Sequence, residues 1–593
     1  MPAVSTDSLS AAPRYIKIAM IVSVLLFLFL AQRSFVYVPD DAFITFRYSR
    51  NLADGFGPVF NRAMPASDRA EGYSCPLYMA VLAILFKLPL GLDALLRAKF
   101  FGLLCGIAVL FAATKLAGRL NLPVWAIAAT PVLLAAHAGL SILSVDGMET
   151  VFAALLMTLA ALSFLTVFDA LTPQPSLPTL REGEQNAALT PKLEKDAEGD
   201  NFLLPSPLPG RGVGGEGALL SGLLFAACAL NRPEGLLAGL SATALLFIIR
   251  RKTWGQAETR WLLGFALPVA ALFLFRRAFF GVWLPNTYYA KIAPVEEGLF
   301  KGLTYLLRTF FYKMDQSAVL FVIGAAWWVL AVVGASGERF RRPALLLVPL
   351  MVAGQALTAL RSGGDWMGGW RYMTPVLPLL MLLSIAGIAE IADALRKVGE
   401  PAAKFAAGTL CAALFAACLL GQNQFWTEGA YDGHVSWASK NFSFSERKLL
   451  MGWKLERVVL ISDWLNAHPE IVPPGSVVAY SEMGVAPYLT PQIRYLDTDG
   501  LTDHGVAALS NTKHAFFGVD SNYLSDASAV GAYLKDERKP DFLVCGAEAE
   551  PPPTVLGDTY LLCGQLAVPV SDERNGNAFA TSKTATIGVW KRR

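Results

Sequence analysis

The chain has 593 residues, of which 54% are hydrophobic and 16% are charged, and its mean hydropathy is +0.45. An ordinary soluble protein carries about 25% charged residues, so the composition excludes a soluble enzyme and indicates a polytopic α-helical membrane protein. The formal net charge of +3 comes from dispersed Lys and Arg residues, and the absence of a basic stripe argues against nucleic acid as a partner. The seven Cys and five His show no zinc-ligand spacing.

Residues 1–14 are predicted to be disordered, and residues 15–421 are predicted to form a transmembrane domain. The first apolar block has no small-residue cleavage site, so we interpret it as a retained span rather than a signal peptide. Apolar blocks of membrane-spanning length recur along this domain, at roughly 15–33, 76–118, 121–143, 150–168, 218–231, 235–250, 260–281, 317–336, 342–360, 373–396 and 403–421.

The block 76–118 contains Lys87, Arg97 and Lys99, so it could hold either one span plus a surface helix or two spans. Basic clusters should face the cytoplasm, and they agree on one orientation if this block crosses an odd number of times. The prediction is about 11 crossings with the N-terminus inside. The clusters used are Arg14/Lys17, Lys115/Arg119, Arg250/Arg251/Lys252, Arg339/Arg341/Arg342 and Arg396/Lys397.

The polar loop at 36–76 carries the most unusual side chains of the outer face. Its acids Asp40 and Asp41 are adjacent, and carboxylates this close raise each other's pKa. N-capping of a helix that begins near Ala42 is the structural alternative for one of the two. Other outer loops also carry polar motifs, as expected for an active site in an outward-facing cavity: SVDGMET at 144–150, NRPEG at 231–235, LPNTYYAK at 284–291 and RSGGDWMGGWRY at 361–372.

Two segments differ from the membrane blocks. Residues 171–217 are rich in Pro, Gly, Glu and Leu and lack helical or strand periodicity, which predicts a disordered cytoplasmic insertion. Residues 422–593 have ordinary composition, with β-like runs at 476–480, 541–545 and 584–590 and a helical stretch at 444–466. These patterns predict a soluble α/β domain on the outer, periplasmic side.

The outer-loop motifs resemble those of a known family. DDAFITFRYSRNLADGFGPVFN followed by EGYSCPLY resembles the first outer loop of GT-C glycosyltransferases, and more narrowly that of the mycobacterial terminal arabinofuranosyltransferases. GMET, RPEG, LPNTYYAK, GGDWMGGWRY and AYSEMGVAPYL…IRYLDTDGLTD are similar to successive motifs of the same family, in the same order. One departure is Cys75, where Ser, Thr or Asn is expected.

The resemblance implies a glycosyltransferase of the bacterial inner membrane whose active site faces the periplasm. It implies a polyprenyl-phosphate sugar as donor, with a pentose such as arabinofuranose favoured, and an envelope glycan or glycolipid as acceptor. Because a polyprenyl phosphate leaves without a strong acid, the enzyme mainly needs a base and cations for the departing charge. Asp41 is preferred as the base because it leads the predicted helix, with Asp40 as the alternative. No cofactor is required, although both Asp residues could hold Mg²⁺ or Ca²⁺.

Further candidates lie in the same loops. Three cations lie where positive-inside bias disfavours them, so they are predicted to bind the donor phosphate, with headgroup anchoring as the alternative: Arg47, Lys291 and Arg371. Sugar or acceptor contacts are predicted for a second set, with an aromatic belt, helix capping or a turn as the alternatives: Glu71, Tyr73, Glu149, Glu234, Asn286, Tyr288, Asp365 and Trp366, with Trp370 as a further stacking residue.

Two other functional classes remain open at this point. A transporter or flippase for a lipid-linked sugar should show related halves and polar residues at mid-span, and the sequence shows neither. A membrane-anchored glycan receptor would leave the loop motifs unexplained. Within the soluble domain, Cys545 and Cys563 end two candidate strands. A disulfide between them is one hypothesis, because disulfides persist in the periplasm, and buried unbridged cysteines in strands are the alternative.

Overall fold

The computed structural model describes residues 7–62, 64–168, 216–291, 295–308, 318–337, 340, 342–364, 370–424, 445–452, 455–510, 529–547, 554–570 and 583–593. The predicted insertion at 171–217 lies almost wholly outside this part of the chain. So do Asp365, Trp366 and the side chain of Lys291.

The elements that the structure describes in the N-terminal part are helices, as its long apolar runs dictate. Its first helix begins at Asp7, inside the segment that the sequence analysis expected to be disordered. The helices are α1 (Asp7–Arg33), α2 (Asp41–Ala53), α3 (Pro76–Lys87), α4 (Ala94–Arg119), α5 (Val124–Ala136), α6 (Ala138–Ser141), α7 (Thr150–Phe168), α8 (Glu216–Asn231), α9 (Gly235–Arg250), α10 (Gln256–Phe279), α11 (Asn286–Lys291), α12 (Val295–Leu307), α13 (Ala318–Ser336), α14 (Leu347–Ser362), α15 (Leu377–Leu395) and α16 (Glu400–Gln424).

Seven helical segments of the described residues are long and apolar enough to cross a membrane, and five further apolar helices are shorter. The ambiguous block at 76–118 is divided into α3 and α4, of which only α4 has the length of a span. This establishes a polytopic helical membrane protein. The total of about 11 crossings and the orientation of the chain stay predictions.

Small residues allow helices of the membrane part to pack closely, as is common where lipid gives no hydrophobic drive for association. A Cβ at Gly222 of α8 would clash with the carbonyl oxygen of Trp261 in α10. A Cβ at Gly264 of α10 would in turn lie 2.6 Å from the carbonyl oxygen of Leu219. The two glycines therefore fix the contact between α8 and α10 from both sides.

The C-terminal part combines short helices with one mixed six-stranded sheet, in the order β2-β1-β3-β6-β5-β4. Strand β1 is parallel to β2 and β3, whereas the pairs β3–β6, β6–β5 and β5–β4 are antiparallel. The three predicted strands are confirmed, and the helical stretch predicted at 444–466 contains two helices. Its elements are α17 (Glu446–Gly452), α18 (Glu456–Ala467), β1 (Val477–Tyr480), α19 (Val485–Leu489), β2 (Arg494–Asp497), α20 (His504–Ser510), α21 (Ala529–Ala532), a π-helical turn (Tyr533–Arg538), β3 (Phe542–Ala547), β4 (Thr554–Val555), β5 (Tyr560–Val570) and β6 (Lys583–Arg592).

The predicted disulfide between Cys545 and Cys563 is wrong, since neither residue is in a disulfide bond. The reason is the strand order, because β6 lies between β3 and β5 and separates the two residues. Cys545 pairs with Gly588 of β6, while the Cys563 thiol donates to the carbonyl oxygen of Val589 at 3.2 Å.

Candidate active site

Helix α2 starts with the two adjacent acids, but neither caps it in the expected way. Asp40 occupies the N-cap position without a side-chain capping bond. Its carboxylate instead accepts hydrogen bonds from the backbone N–H groups of Gly484 at 3.0 Å and Val485 at 2.8 Å, where α19 of the C-terminal domain begins. Asp40 therefore ties the polar loop at 36–76 to the C-terminal domain.

Asp41 differs from its neighbour in its contacts. It is the first residue of α2 and is partly exposed. Its carboxylate forms no hydrogen bond or ion pair with the residues that the structure describes. It lies close enough to Asp499 of the C-terminal domain for their charges to interact. Asp41 is thus the open carboxylate of the pair.

The electrostatics of this region are set mainly by burial. Burial raises the pKa of Asp40 to about 6, against the opposing effect of the Val485 hydrogen bond. Burial, followed by the charges of Asp497 and Asp41, raises the pKa of Asp499 to about 7. Carboxylates with such values can exchange protons near neutral pH, which is what acid–base chemistry requires.

Asn286, at the start of α11, joins the membrane part to the C-terminal domain. Its side-chain amide donates to the carbonyl oxygens of Gly500 at 2.7 Å and Leu501 at 3.0 Å. Its backbone N–H donates to the carbonyl oxygen of Glu71 at 3.0 Å. Asn286 is completely buried, so its role in this structure is a connection between the two parts rather than an exposed turn.

Arg47, like Asn286, connects the membrane part to the C-terminal domain. Its guanidinium donates to the carbonyl oxygens of Phe60 at 2.7 Å, Ile493 at 3.0 Å and Pro487, and to the side chain of Asn61 at 3.2 Å. A role at the donor phosphate would require Arg47 to give up these buried bonds. We therefore do not include it in the proposed donor site.

Three predicted sugar-binding acids are paired with arginines. Glu71 is buried and makes two contacts with Arg276 at the end of α10, at 2.7 and 3.0 Å. Arg232 bridges Glu149 at 2.5 Å and Glu234 at 3.0 Å, and so joins the SVDGMET and NRPEG motifs. Although burial alone would raise it, the pKa of Glu234 is lowered because Arg232 stabilises the charged form.

The aromatic candidates are divided by exposure. Tyr73 is buried against Tyr48, with ring centroids 4.7 Å apart. Trp370 is buried against Trp327, with ring centroids 5.5 Å apart. Tyr288 is half-exposed and remains accessible for a ligand or a lipid headgroup. Of these three, only Tyr288 is placed so that it could stack on a sugar without rearrangement.

Arg371 is brought to the SVDGMET loop. Its guanidinium lies 3.1 Å from the Met148 sulfur, and its charge acts on the buried Asp146. Asp146 accepts a hydrogen bond from the Met148 backbone at 2.7 Å. Arg371 and the loop therefore form one polar cluster. For a metal, the described residues contain no group of three His, Cys, Asp or Glu side chains with suitable placement.

The sequence analysis did not single out several residues that the structure brings into these clusters. Arg276 and Arg232 were overlooked, although each stands at the end of an apolar helix, where a cation is a signal. Asp146 and Asp499 were part of quoted motifs but were not selected as candidates. Their proximity to other groups depends on contacts between distant parts of the chain, and a single sequence does not reveal such contacts.

Comparisons with known proteins support the fold. A family model described as a domain of unknown function (DUF8728) matches residues 451–583. No curated protein matches the chain. Among solved structures, the archaeal oligosaccharyltransferase AglB from Archaeoglobus fulgidus, in complex with an inhibitory peptide and a dolichol-phosphate, is 10% identical. The match covers 90% of this chain and 69% of AglB, with a TM-score of 0.52.

Two further structures are similar over nearly the whole chain. Arabinofuranosyltransferase AftD from Mycobacteria is 14% identical with a TM-score of 0.50, and the match covers 98% of this chain but only 40% of AftD. ArnT from Cupriavidus metallidurans is 12% identical with a TM-score of 0.50, and the match covers 98% of both chains. At these identities the likeness shows the fold alone. The chain has a GT-C-like membrane fold with a C-terminal mixed-sheet domain.

Proposed function

We propose that the protein is an integral-membrane glycosyltransferase that moves a sugar from a polyprenyl-phosphate donor to an envelope glycan or glycolipid. The observation that carries the proposal is the open carboxylate of Asp41 at the start of α2, in a GT-C-like fold where the other candidate acids that the structure describes, Asp40, Glu71, Glu149 and Glu234, are engaged. The comparison structures support a lipid phosphate as donor, since AglB is in complex with a dolichol-phosphate. The likeness to AftD and the sequence motifs favour arabinofuranose or a similar pentose.

The proposed reaction needs one proton transfer. The acceptor hydroxyl oxygen attacks the anomeric carbon, and its proton passes to Asp41. The bond between the anomeric carbon and the phosphate oxygen breaks, and its electron pair leaves on the polyprenyl phosphate. Arg371 and Lys291 neutralise the phosphate charge, which stabilises the departing group. Asp40 keeps the loop fixed through its bonds to Gly484 and Val485.

The test is a transfer assay with the purified full-length protein. Synthetic polyprenyl-phosphate pentoses and hexoses are incubated with an alkyl arabinoside as the acceptor probe, and products are identified by mass. We expect a disaccharide from at least one pentose donor. A flippase would move the donor across a vesicle membrane without forming product, and that result would overturn the proposal. Parallel reactions with a chelator, and with added Mg²⁺ or Ca²⁺, determine whether a divalent cation contributes.

The proposal also places the site on the periplasmic face of the bacterial inner membrane. Single Cys residues at Thr190 and Tyr288 in a Cys-free background test this orientation with a membrane-impermeant maleimide. We expect labelling of position 288 from outside and of position 190 only after the membrane is opened. Labelling of position 190 in intact cells would reverse the orientation.

A further inference from the structure

The C-terminal domain presents one carboxylate to the membrane part. Asp499 lies in the turn after β2 with its side chain exposed to solvent, although the surrounding protein removes enough water to raise its pKa. Strand β2 is parallel to β1, so the turn after β2 lies at the same edge of the sheet as the segment after β1, where Gly484 and Val485 donate to Asp40. This geometry brings Asp499 to the start of α2, and the charge of Asp41 acts on it there.

We propose that Asp499 is a substrate-binding residue, carried into the active site by the C-terminal domain, and that Asn286 is the residue that positions it. The proposal rests on the transferase function proposed above and adds to it a second carboxylate, which comes from the soluble domain. Its ligand is a hydroxyl group of the acceptor sugar. Asp499 forms no covalent bond in the reaction, and Asp41 remains the group that takes the proton.

The turn that carries Asp499 is held from within by Asp497. The buried Asp497 carboxylate accepts hydrogen bonds from the backbone N–H groups of Asp499 at 2.8 Å, Gly500 at 3.1 Å and Thr502 at 2.7 Å. Gly500 has a φ of +80°, and a Cβ there would lie 2.6 Å from the Ala507 nitrogen. The backbone of the turn therefore has one well-defined shape, which directs the Asp499 side chain outward.

The turn is held from outside by Asn286. Because its amide donates to both Gly500 and Leu501, it grips the backbone directly after Asp499. Asn286 is itself anchored to the Glu71 backbone, and the Glu71 side chain is paired with Arg276 at the end of α10. A continuous chain of buried polar contacts thus connects a membrane helix to Asp499. This chain explains how a residue of the soluble domain keeps a fixed place relative to Asp41.

The chemistry of the pair suits a hydroxyl ligand. Asp41 and Asp499 both accept hydrogen bonds when ionised, and a sugar hydroxyl offers a donor to either. The groups whose charges act on Asp499 are Asp41 from α2 and Asp497 from its own turn, both acidic. Deprotonation of Asp499 gives the carboxylate that accepts the hydrogen bond of the acceptor hydroxyl. Asp499 can thus hold the acceptor while Asp41 acts as base.

The experiment compares Asp499→Asn and Asn286→Asp with Asn61→Asp in the transfer assay described above. Asn61 is a matched control, because its buried amide also joins the membrane part to the domain, donating to the Tyr495 carbonyl oxygen at 2.7 Å. We expect Asp499→Asn to raise the acceptor KM roughly tenfold to hundredfold, as for loss of a hydrogen bond to a charged group. Asp499→Glu should recover part of the loss.

Asn286→Asp keeps the shape of the side chain but replaces the donating amide by an acceptor. We expect it to raise the acceptor KM as Asp499→Asn does, and to add little when the two are combined. Hydrogen exchange of the segment 498–503 should rise in Asn286→Asp and stay near wild type in Asn61→Asp. Equal effects of the two Asn variants on KM and on exchange would mean that Asn286 only docks the domain, and would overturn its positioning role.

The pH dependence gives a second readout. In the wild type, the acid limb of the kcat/KM profile should include the titration of Asp499 near pH 7, and this component should disappear in Asp499→Asn. If the wild type transfers sugar and Asp499→Asn retains the wild-type acceptor KM and pH profile, the role of Asp499 is wrong and the proposed function stands. If the wild type transfers no sugar from any donor, the proposed function itself fails, and the role of Asp499 fails with it.

Discussion

Six acids of the polar loops and of the C-terminal domain fall into two groups that look alike in the sequence. Glu71, Glu149 and Glu234 are buried against arginines. Asp40, Asp41 and Asp499 form no salt bridge within the described part of the chain. A buried carboxylate that meets an arginine is held in place by the ion pair and serves the structure. A carboxylate without an ion-pair partner can exchange a proton or bind a ligand, although Asp40 is also held by two backbone hydrogen bonds, so the difference separates structural acids from the candidates for chemistry.

The largest expected effect comes from removing the arginine partner of acids in the first group. Arg232→Met would leave Glu149 and Glu234 buried without their partner, and the loss of one member of a buried ion pair costs roughly 3–5 kcal/mol. We expect thermal unfolding in detergent at a much lower temperature, with activity and fold lost together.

A neutral version of the same cluster is the matched control for Arg232→Met. The triple change Glu149→Gln, Arg232→Met and Glu234→Gln removes all the buried charges and should recover much of the stability. If the triple variant were as unstable as the single one, packing rather than charge would explain the cluster. If it were stable but inactive, the paired acids would have a chemical role after all.

The second-largest expected effect concerns Asp41, the open carboxylate. Asp41→Asn should lower turnover by about a hundredfold or more, because general base catalysis contributes that order. Its stability should stay close to wild type, since the carboxylate holds no described partner. Steady-state kinetics and thermal unfolding of the same preparation measure both. Near-wild-type turnover would exclude Asp41 as the base and turn attention to Asp40.

The sequence predicted the importance of the Asp40–Asp41 loop, the strands of the C-terminal domain and the helical membrane part. It did not predict which acids are paired, because Glu71 meets Arg276 and Glu149 meets Arg232 only through helix packing. The approach of Asp499 to Asp41 likewise depends on how the soluble domain docks. The disulfide prediction was wrong for the same reason, since β6 enters the sheet between β3 and β5.

A smaller effect should appear as a pH dependence of stability. The pKa of Asp499, about 7 in the native state against an ordinary value of 3.8, is raised mainly by burial. The native state thus binds this proton more tightly than the unfolded chain does, and stability falls as the pH rises toward 7. The Asn side chain of the Asp499→Asn variant does not titrate, so this variant does not lose stability in this way as the pH rises. Its melting temperature should exceed that of the wild type at about pH 8 and approach it at about pH 4; an equal gain at both values would contradict the assignment.

The smallest effect is expected for an acid that is paired but exposed. Arg447 and Asp463 form a salt bridge on the surface of the C-terminal domain, with one contact of 3.0 Å, and their side chains are 60% and 39% exposed. Water already solvates both charges, so Arg447→Ala should cost only about 0.2–1 kcal/mol and leave turnover unchanged. Thermal unfolding of Arg447→Ala and Arg232→Met under the same conditions compares the stability that each variant loses. If the two arginine variants lost similar stability, burial would not be what distinguishes the paired acids, and the separation drawn from it would fail.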